Sequence, residues 1–139
     1  ALDGSVIDVA KLRGKAVVLQ YWTTSCDVCT SDHAILGELF KKYGGGRGLE
    51  VIGINLDFDQ KNLVEYQRQK RLPWKLMWEQ GGFDSGLARQ MGVVTVPLMI
   101  LVGPDGRVVS SNIRAEEIEG EMKKMIQSRA QAPKKQISR

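Results

Sequence analysis

Cys26 and Cys29 are the two cysteines of this 139-residue chain, and they sit where an apolar run gives way to a helical pattern. Two thiols three positions apart at the start of a helix can close a disulfide and open it again. The positive end of the helix dipole favours a thiolate on the first of them, while Asp27, a negative charge between the sulfurs, opposes it. A purely structural disulfide is the plain alternative, but so short a spacing closes too small a loop to constrain the unfolded chain much. His33 lies four residues after Cys29 and so on the same helical face. That spacing allows a further alternative, a soft-metal site for copper(I) or zinc built from Cys26, Cys29 and His33. No fourth ligand follows at a standard spacing, and a solvated helix histidine is the expectation for His33.

Such a pair needs a frame. Ala16-Val17-Val18-Leu19 reads as a buried strand leading into the cysteines, and Ile35, Leu36, Leu39, Phe40 and Tyr43 repeat at helical spacing after them, up to Gly44-Gly45-Gly46. Leu49–Leu56 reads as a second strand, followed by Asp57-Phe58-Asp59 and a polar helix over about 61–71. A short strand is expected over Lys75–Trp78 and a short helix over Ser85–Met91. Val93–Val102 is the third strong apolar run, joined through Gly103-Pro104-Asp105-Gly106 to Arg107–Ser110 as an antiparallel hairpin. Pro97 cannot donate a ladder hydrogen bond, so it should open the strand, with a cis Val96–Pro97 bond as one way to make the entry turn. Ala115, Ile118, Met122, Met125 and Ile126 mark one apolar helix face that covers the sheet. Before all this, two turn signals flank Val6–Val9, which suggests a small hairpin or edge strand. Alternating strands and helices predict an α/β layer structure with parallel pairing. Residues 1–129 form the expected single domain, and 130–139 a disordered basic tail.

Composition narrows the function classes. The net charge of +4 comes from 20 basic and 16 acidic side chains, with no dense basic run in the body of the chain. Lys134, Lys135 and Arg139 belong to the polar tail, so a nucleic-acid surface is not expected. No run approaches the roughly 18 apolar residues of a membrane span. Ala1-Leu2-Asp3-Gly4 reads as the start of a mature or excised protein, from which a leader, membrane anchor or further domain could have been removed.

Together, Gly14-Lys15-Ala16-Val17-Val18-Leu19-Gln20-Tyr21-Trp22, Cys26-x-x-Cys29, Val96-Pro97 and Gly103-Pro104-Asp105-Gly106-Arg107 closely resemble the thioredoxin-like superfamily. The best match within it is the TlpA-like and ResA-like branch of extracytoplasmic thiol-disulfide oxidoreductases, which the leading Leu2-Asp3-Gly4 and Leu12-Arg13-Gly14-Lys15 also resemble. The resemblance implies a thioredoxin-like fold, a central mixed β-sheet flanked by helices, here with an N-terminal hairpin extension. It makes Cys26 the exposed nucleophile and Cys29 the buried resolving thiol. Pro97 becomes the cis-proline beside the disulfide, Val96 offers a strand-like edge to substrate, and Trp22 is the aromatic residue that packs against the site. Gln20 stands where thioredoxins proper keep a buried aspartate, so the proton shuttle is sought after the second strand, at Asp57 or Asp59. Ser25 and Val28 depart from the usual Trp and Pro neighbours of the cysteines, which leaves the redox potential untransferable. With Asp27 between the sulfurs, electrostatics favours a reductant over a strong oxidant.

The implied activity is reduction of protein disulfides by an extracytoplasmic protein, periplasmic or membrane-anchored facing outside. It needs no cofactor and no metal, but requires a protein thiol or disulfide substrate and an external electron donor, and it is expected of a monomer. The alternative is a non-catalytic thioredoxin-like interaction or metal-binding module using Cys26, Cys29 and His33.

Overall fold

Alternation within the first apolar run decides how the sheet is buried. In β1 (Ala16–Trp22), Ala16, Val18 and Trp22 enter one core cluster, while Val17 and Tyr21 enter another on the opposite face. A strand buried on both faces belongs at the centre of a covered sheet. The computed structural model describes Gly4 and residues 9–130, with side chains described from 10 to 125.

The remaining elements are α1 (Asp27–Tyr43), β2 (Leu49–Asn55), α2 (Gln60–Lys70), β3 (Lys75–Trp78), α3 (Gly86–Gln90), β4 (Leu98–Val102), β5 (Val108–Ser110) and α4 (Ala115–Ala130). Short 3-10 turns occupy Val9–Leu12 and Gly82–Asp84. The strand order is β3-β2-β1-β4-β5, with β1, β2 and β3 parallel, β4 antiparallel to β1 and β5 antiparallel to β4. This is the expected mixed α/β sheet. The hairpin foreseen before β1 falls mostly on residues 5–8, outside the described residues, and its last residue, Val9, begins a 3-10 turn instead. The tail beyond Ala130 also lies outside them.

One face of the sheet packs against α1, α2 and α4 through Leu36, Leu39, Leu63, Ile118 and Met122. Burying a leucine as completely as Leu36 or Leu63 contributes roughly 2 kcal/mol. Across the sheet, Ile52, Ile54 and Ile100 meet Ala88 of α3 and Val93. Helix α1 ends at Gly44, whose N–H closes the last turn on the Phe40 carbonyl at 2.8 Å; in this conformation a Cβ would lie 2.5 Å from that oxygen, so the position suits only glycine.

Strand direction places the site. Trp22 pairs with Asn55, Asn55 with Trp78, and Tyr21 with Leu98. The ends of β1, β2 and β3 and the start of β4 therefore share one sheet edge. The loops that leave this edge carry the cysteines, Asp57 and Pro97.

Candidate active site

Cys26 and Cys29 are joined by a disulfide, with their Cα atoms 5.2 Å apart. Cys26 is the N-cap of α1: its backbone is extended, and its Sγ accepts a hydrogen bond from the Cys29 N–H at 3.1 Å. The first turn of a helix has N–H groups without intrahelical acceptors, and here a sulfur takes one of them. In the reduced state the same geometry offers a thiolate at Cys26 a donor as well as the helix dipole. Cys26 is half-buried and Cys29 is fully buried in the α1 face of the core. Only the first sulfur can meet a second molecule.

The loop before Cys26 is braced from β2. Both carboxylate oxygens of Asp57 accept from the Thr24 N–H, at 3.1 and 3.3 Å. The Asp57 N–H donates to Asn55 Oδ1, and its carbonyl accepts from the Trp78 indole N–H at 2.7 Å. Asp57 is buried and committed to this bracing. Asp59 is exposed and caps α2, accepting from the Lys61 N–H at 3.0 Å. Ser25 is exposed within the Cys26 loop, its hydroxyl 3.3 Å from that of Thr23. Trp22 is fully buried beneath the site, edge-on to His33 at 4.6 Å and to Tyr66 at 5.0 Å between ring centroids.

His33 corrects the expectation of a solvated helix histidine: it is 7% exposed, beneath the disulfide turn. Its Nε2 is 2.9 Å from Gln20 Oε1 and its Nδ1 is 2.8 Å from the Tyr66 hydroxyl. The Gln20 amide nitrogen donates to the Cys29 carbonyl at 3.2 Å. A carbonyl can only accept, so the NH₂ end of Gln20 must face Cys29 and its oxygen must face His33. Nε2 of His33 therefore carries the hydrogen, and Nδ1 accepts from the Tyr66 O–H. Burial lowers the pKa of this imidazole from 6.5 to about 4, which keeps it neutral. With both ring nitrogens engaged, His33 is not presented with the two sulfurs as a ligand set. Among the described residues no group of three potential metal-binding side chains is assembled.

The Val96–Pro97 peptide bond is cis, as expected. Pro97 is exposed and lines a groove of about 460 Å³ together with Val28, Asp32, Arg114 and Glu116. The groove thus runs from Val28, between the cysteines, to the cis-proline loop. Asp32 is the residue that sequence reasoning missed. Its pKa is raised, first by burial and then by the neighbouring charge of Glu116, so it holds a proton more readily than an ordinary carboxylate. The signal was available: Asp32 follows Cys29 by three residues and so shares its helical face. The resemblance points instead to the carboxylates after β2, Asp57 and Asp59.

The family model described as thioredoxin-like matches residues 14–108. The thiol-disulfide oxidoreductase ResA of Bacillus thuringiensis subsp. konkukian is 28% identical over 123 residues, covering 88% of this chain and 65% of the relative. The chain therefore spans just under two thirds of that relative's length. ResA of Bacillus thuringiensis strain Al Hakam is 30% identical over 127 residues, covering 89% of this chain and 71% of the relative. Among solved structures, a thiol-disulfide oxidoreductase from Bacteroides fragilis superposes with a TM-score of 0.71 at 27% identity, covering 81% of this chain and 82% of that one. The chain belongs to the thioredoxin-like family, in its TlpA/ResA-like branch of thiol-disulfide oxidoreductases.

Proposed function

We propose that this chain is itself a thiol-disulfide oxidoreductase that reduces protein disulfides, with Cys26 as nucleophile and Cys29 as resolving cysteine. The observation that carries the reading is the unequal setting of the two sulfurs. Cys26 is half-exposed and accepts a helix N-terminal N–H, whereas Cys29 is fully buried. In the reduced protein the Cys26 thiolate attacks one sulfur of a substrate disulfide, and the other substrate sulfur leaves and takes a proton. Cys29 then attacks Sγ of Cys26, the mixed disulfide breaks, and the second substrate sulfur leaves as a thiol. The Cys26–Cys29 bond is formed and the substrate has gained two electrons. An external dithiol donor restores the reduced pair.

Asp32 is the proposed proton acceptor for Cys29. Its place in the groove beside Val28 and its raised pKa support that role over Asp57, whose carboxylate is occupied by Thr24. The edge at Val96–Pro97 receives the substrate chain, and Phe58, 80% exposed directly after Asp57, adds an apolar contact on the other side of the Cys26 loop. The ResA-like resemblance supports an extracytoplasmic setting.

The test is a trapping experiment. In Cys29→Ser, incubation with a model protein disulfide should accumulate a mixed disulfide at Cys26, and the wild type should show a two-electron transition in a glutathione redox series. Absence of both refutes the reading.

A further inference from the structure

The exchange steps leave unexplained why a fully buried glutamine and a nearly buried histidine should be spent beneath the disulfide. Gln20 is 0% exposed, yet both ends of its amide are satisfied, one by the Cys29 carbonyl at 3.2 Å and the other by His33 Nε2 at 2.9 Å. The Tyr66 O–H closes the row on His33 Nδ1 at 2.8 Å. These three side chains come from β1, α1 and α2, so the row ties the first turn of α1 to the sheet and to a second helix. Rings reinforce it, since Trp22 packs edge-on to both His33 and Tyr66, and Trp74 to His33.

The row does not relay a proton to sulfur. It ends on a peptide oxygen, and a neutral amide stands between that oxygen and the imidazole. Its mechanical consequence is different. While the disulfide is closed, Cys29 is held to Cys26 by a covalent bond. In the mixed disulfide with substrate that bond is open, and Cys29 is kept in place by the helix turn, its packing and the Gln20 amide. Resolution is an intramolecular attack, and its rate scales with how narrowly the attacking sulfur is held near its target.

We propose that Gln20, His33 and Tyr66 act as one neutral positioning chain that holds the backbone of Cys29 and thereby raises its effective concentration toward Cys26 in the mixed disulfide. The step concerned is Cys29–SH plus Cys26–S–S–R giving the Cys26–Cys29 disulfide plus R–SH, balanced in electrons and in the proton that ends on the leaving thiol. The inference rests on the oxidoreductase reading given above.

The test uses the 139-residue chain with Gln20→Leu, Tyr66→Phe and the double variant. Two quantities are read: the equilibrium with glutathione, which gives the effective concentration of the dithiol, and the rate at which a Cys26–glutathione mixed disulfide converts to the internal disulfide. Gln20→Leu should lower the effective concentration about tenfold, or about 30 mV for this two-electron couple. Tyr66→Phe, which keeps the ring and removes the terminal donor, should lower it about threefold. If the three residues act as one chain, the double variant loses no more than Gln20→Leu alone. Additive losses, or a folded Tyr66→Phe with wild-type equilibrium and resolution rate, overturn the proposal. Should Gln20→Leu fail to fold, the Tyr66→Phe result decides by itself. A Cys29→Ser chain that forms no Cys26 mixed disulfide, with no two-electron transition in the wild type, would instead refute the oxidoreductase reading, so the two failures are distinguishable.

Discussion

His33 is the single histidine of the chain, which makes its burial directly measurable as a dependence of stability on pH. Its pKa falls from 6.5 when unfolded to about 4 in the folded protein, because burial disfavours the charged imidazolium. Between those values the unfolded chain binds a proton that the native state does not, so stability must fall as pH drops through the window. It is fully present above pH 6.5 and lost progressively down to about pH 4. From pH 7 to pH 5 the loss amounts to roughly 2 kcal/mol, taking about 1.36 kcal/mol for each pH unit below 6.5. Urea unfolding of the oxidised protein at pH 7 and pH 5, followed by tryptophan fluorescence, measures it. Side-chain NMR gives the titration of His33 independently. In His33→Gln the same interval should retain only the smaller slope contributed by carboxylates. A wild-type slope equal to that of His33→Gln, or an NMR titration centred near 6.5, refutes the argument that this ring is held neutral by burial.

Asp32→Asn removes the proposed proton acceptor, and the resolution step should slow roughly a hundredfold, at the low end for general base catalysis. The wild-type rate should rise with pH through the raised Asp32 pKa, and the pH–rate profile of the variant, read by stopped flow, should lack that step. Asp57→Ala leaves the Thr24 N–H and the loop before Cys26 without their brace, at a cost of about 1–3 kcal/mol in denaturant unfolding. Asp57→Asn, which keeps an acceptor oxygen, should cost less. Gly53→Ala puts a Cβ 2.7 Å from Leu76 Cδ2 and 3.2 Å from Trp22 Nε1, and overpacking of this kind should destabilise by about 1–3 kcal/mol.

What could be read from the chain was what is local in it. The strand at Ala16–Trp22, the helix after the cysteines, the stop at Gly44 and the Val96–Pro97 turn all follow from patterns within a few residues. The burial of His33 is not local, because its partners are Gln20, 13 residues earlier on β1, and Tyr66, 33 residues later on α2. A polar residue on an amphipathic helix looks solvated until another helix covers it. Asp57 was ambiguous for the same reason, because the Thr24 N–H that it accepts lies 33 residues away. Only the parallel crossover from β1 to β2 brings them together.

The division of labour between the sulfurs follows from how each surrounding responds to charge. A thiolate at Cys26 gains a backbone N–H, the helix N-terminus and partial contact with water, so ionisation there is tolerated even with Asp27 next to it. A thiolate at Cys29 would form in an apolar, fully buried setting. The polar groups nearby on the β1 side form a neutral hydrogen-bond chain that brings no charge to the sulfur. Desolvation disfavours charge at such a site, and in the proposed mechanism Asp32, on the groove side, takes the proton. That asymmetry orders the reaction, with attack on substrate by Cys26 first and attack by Cys29 second. It also predicts where the order can be disturbed: a charge introduced at position 20 acts on the buried sulfur, whereas a change at Asp27 acts on the exposed one.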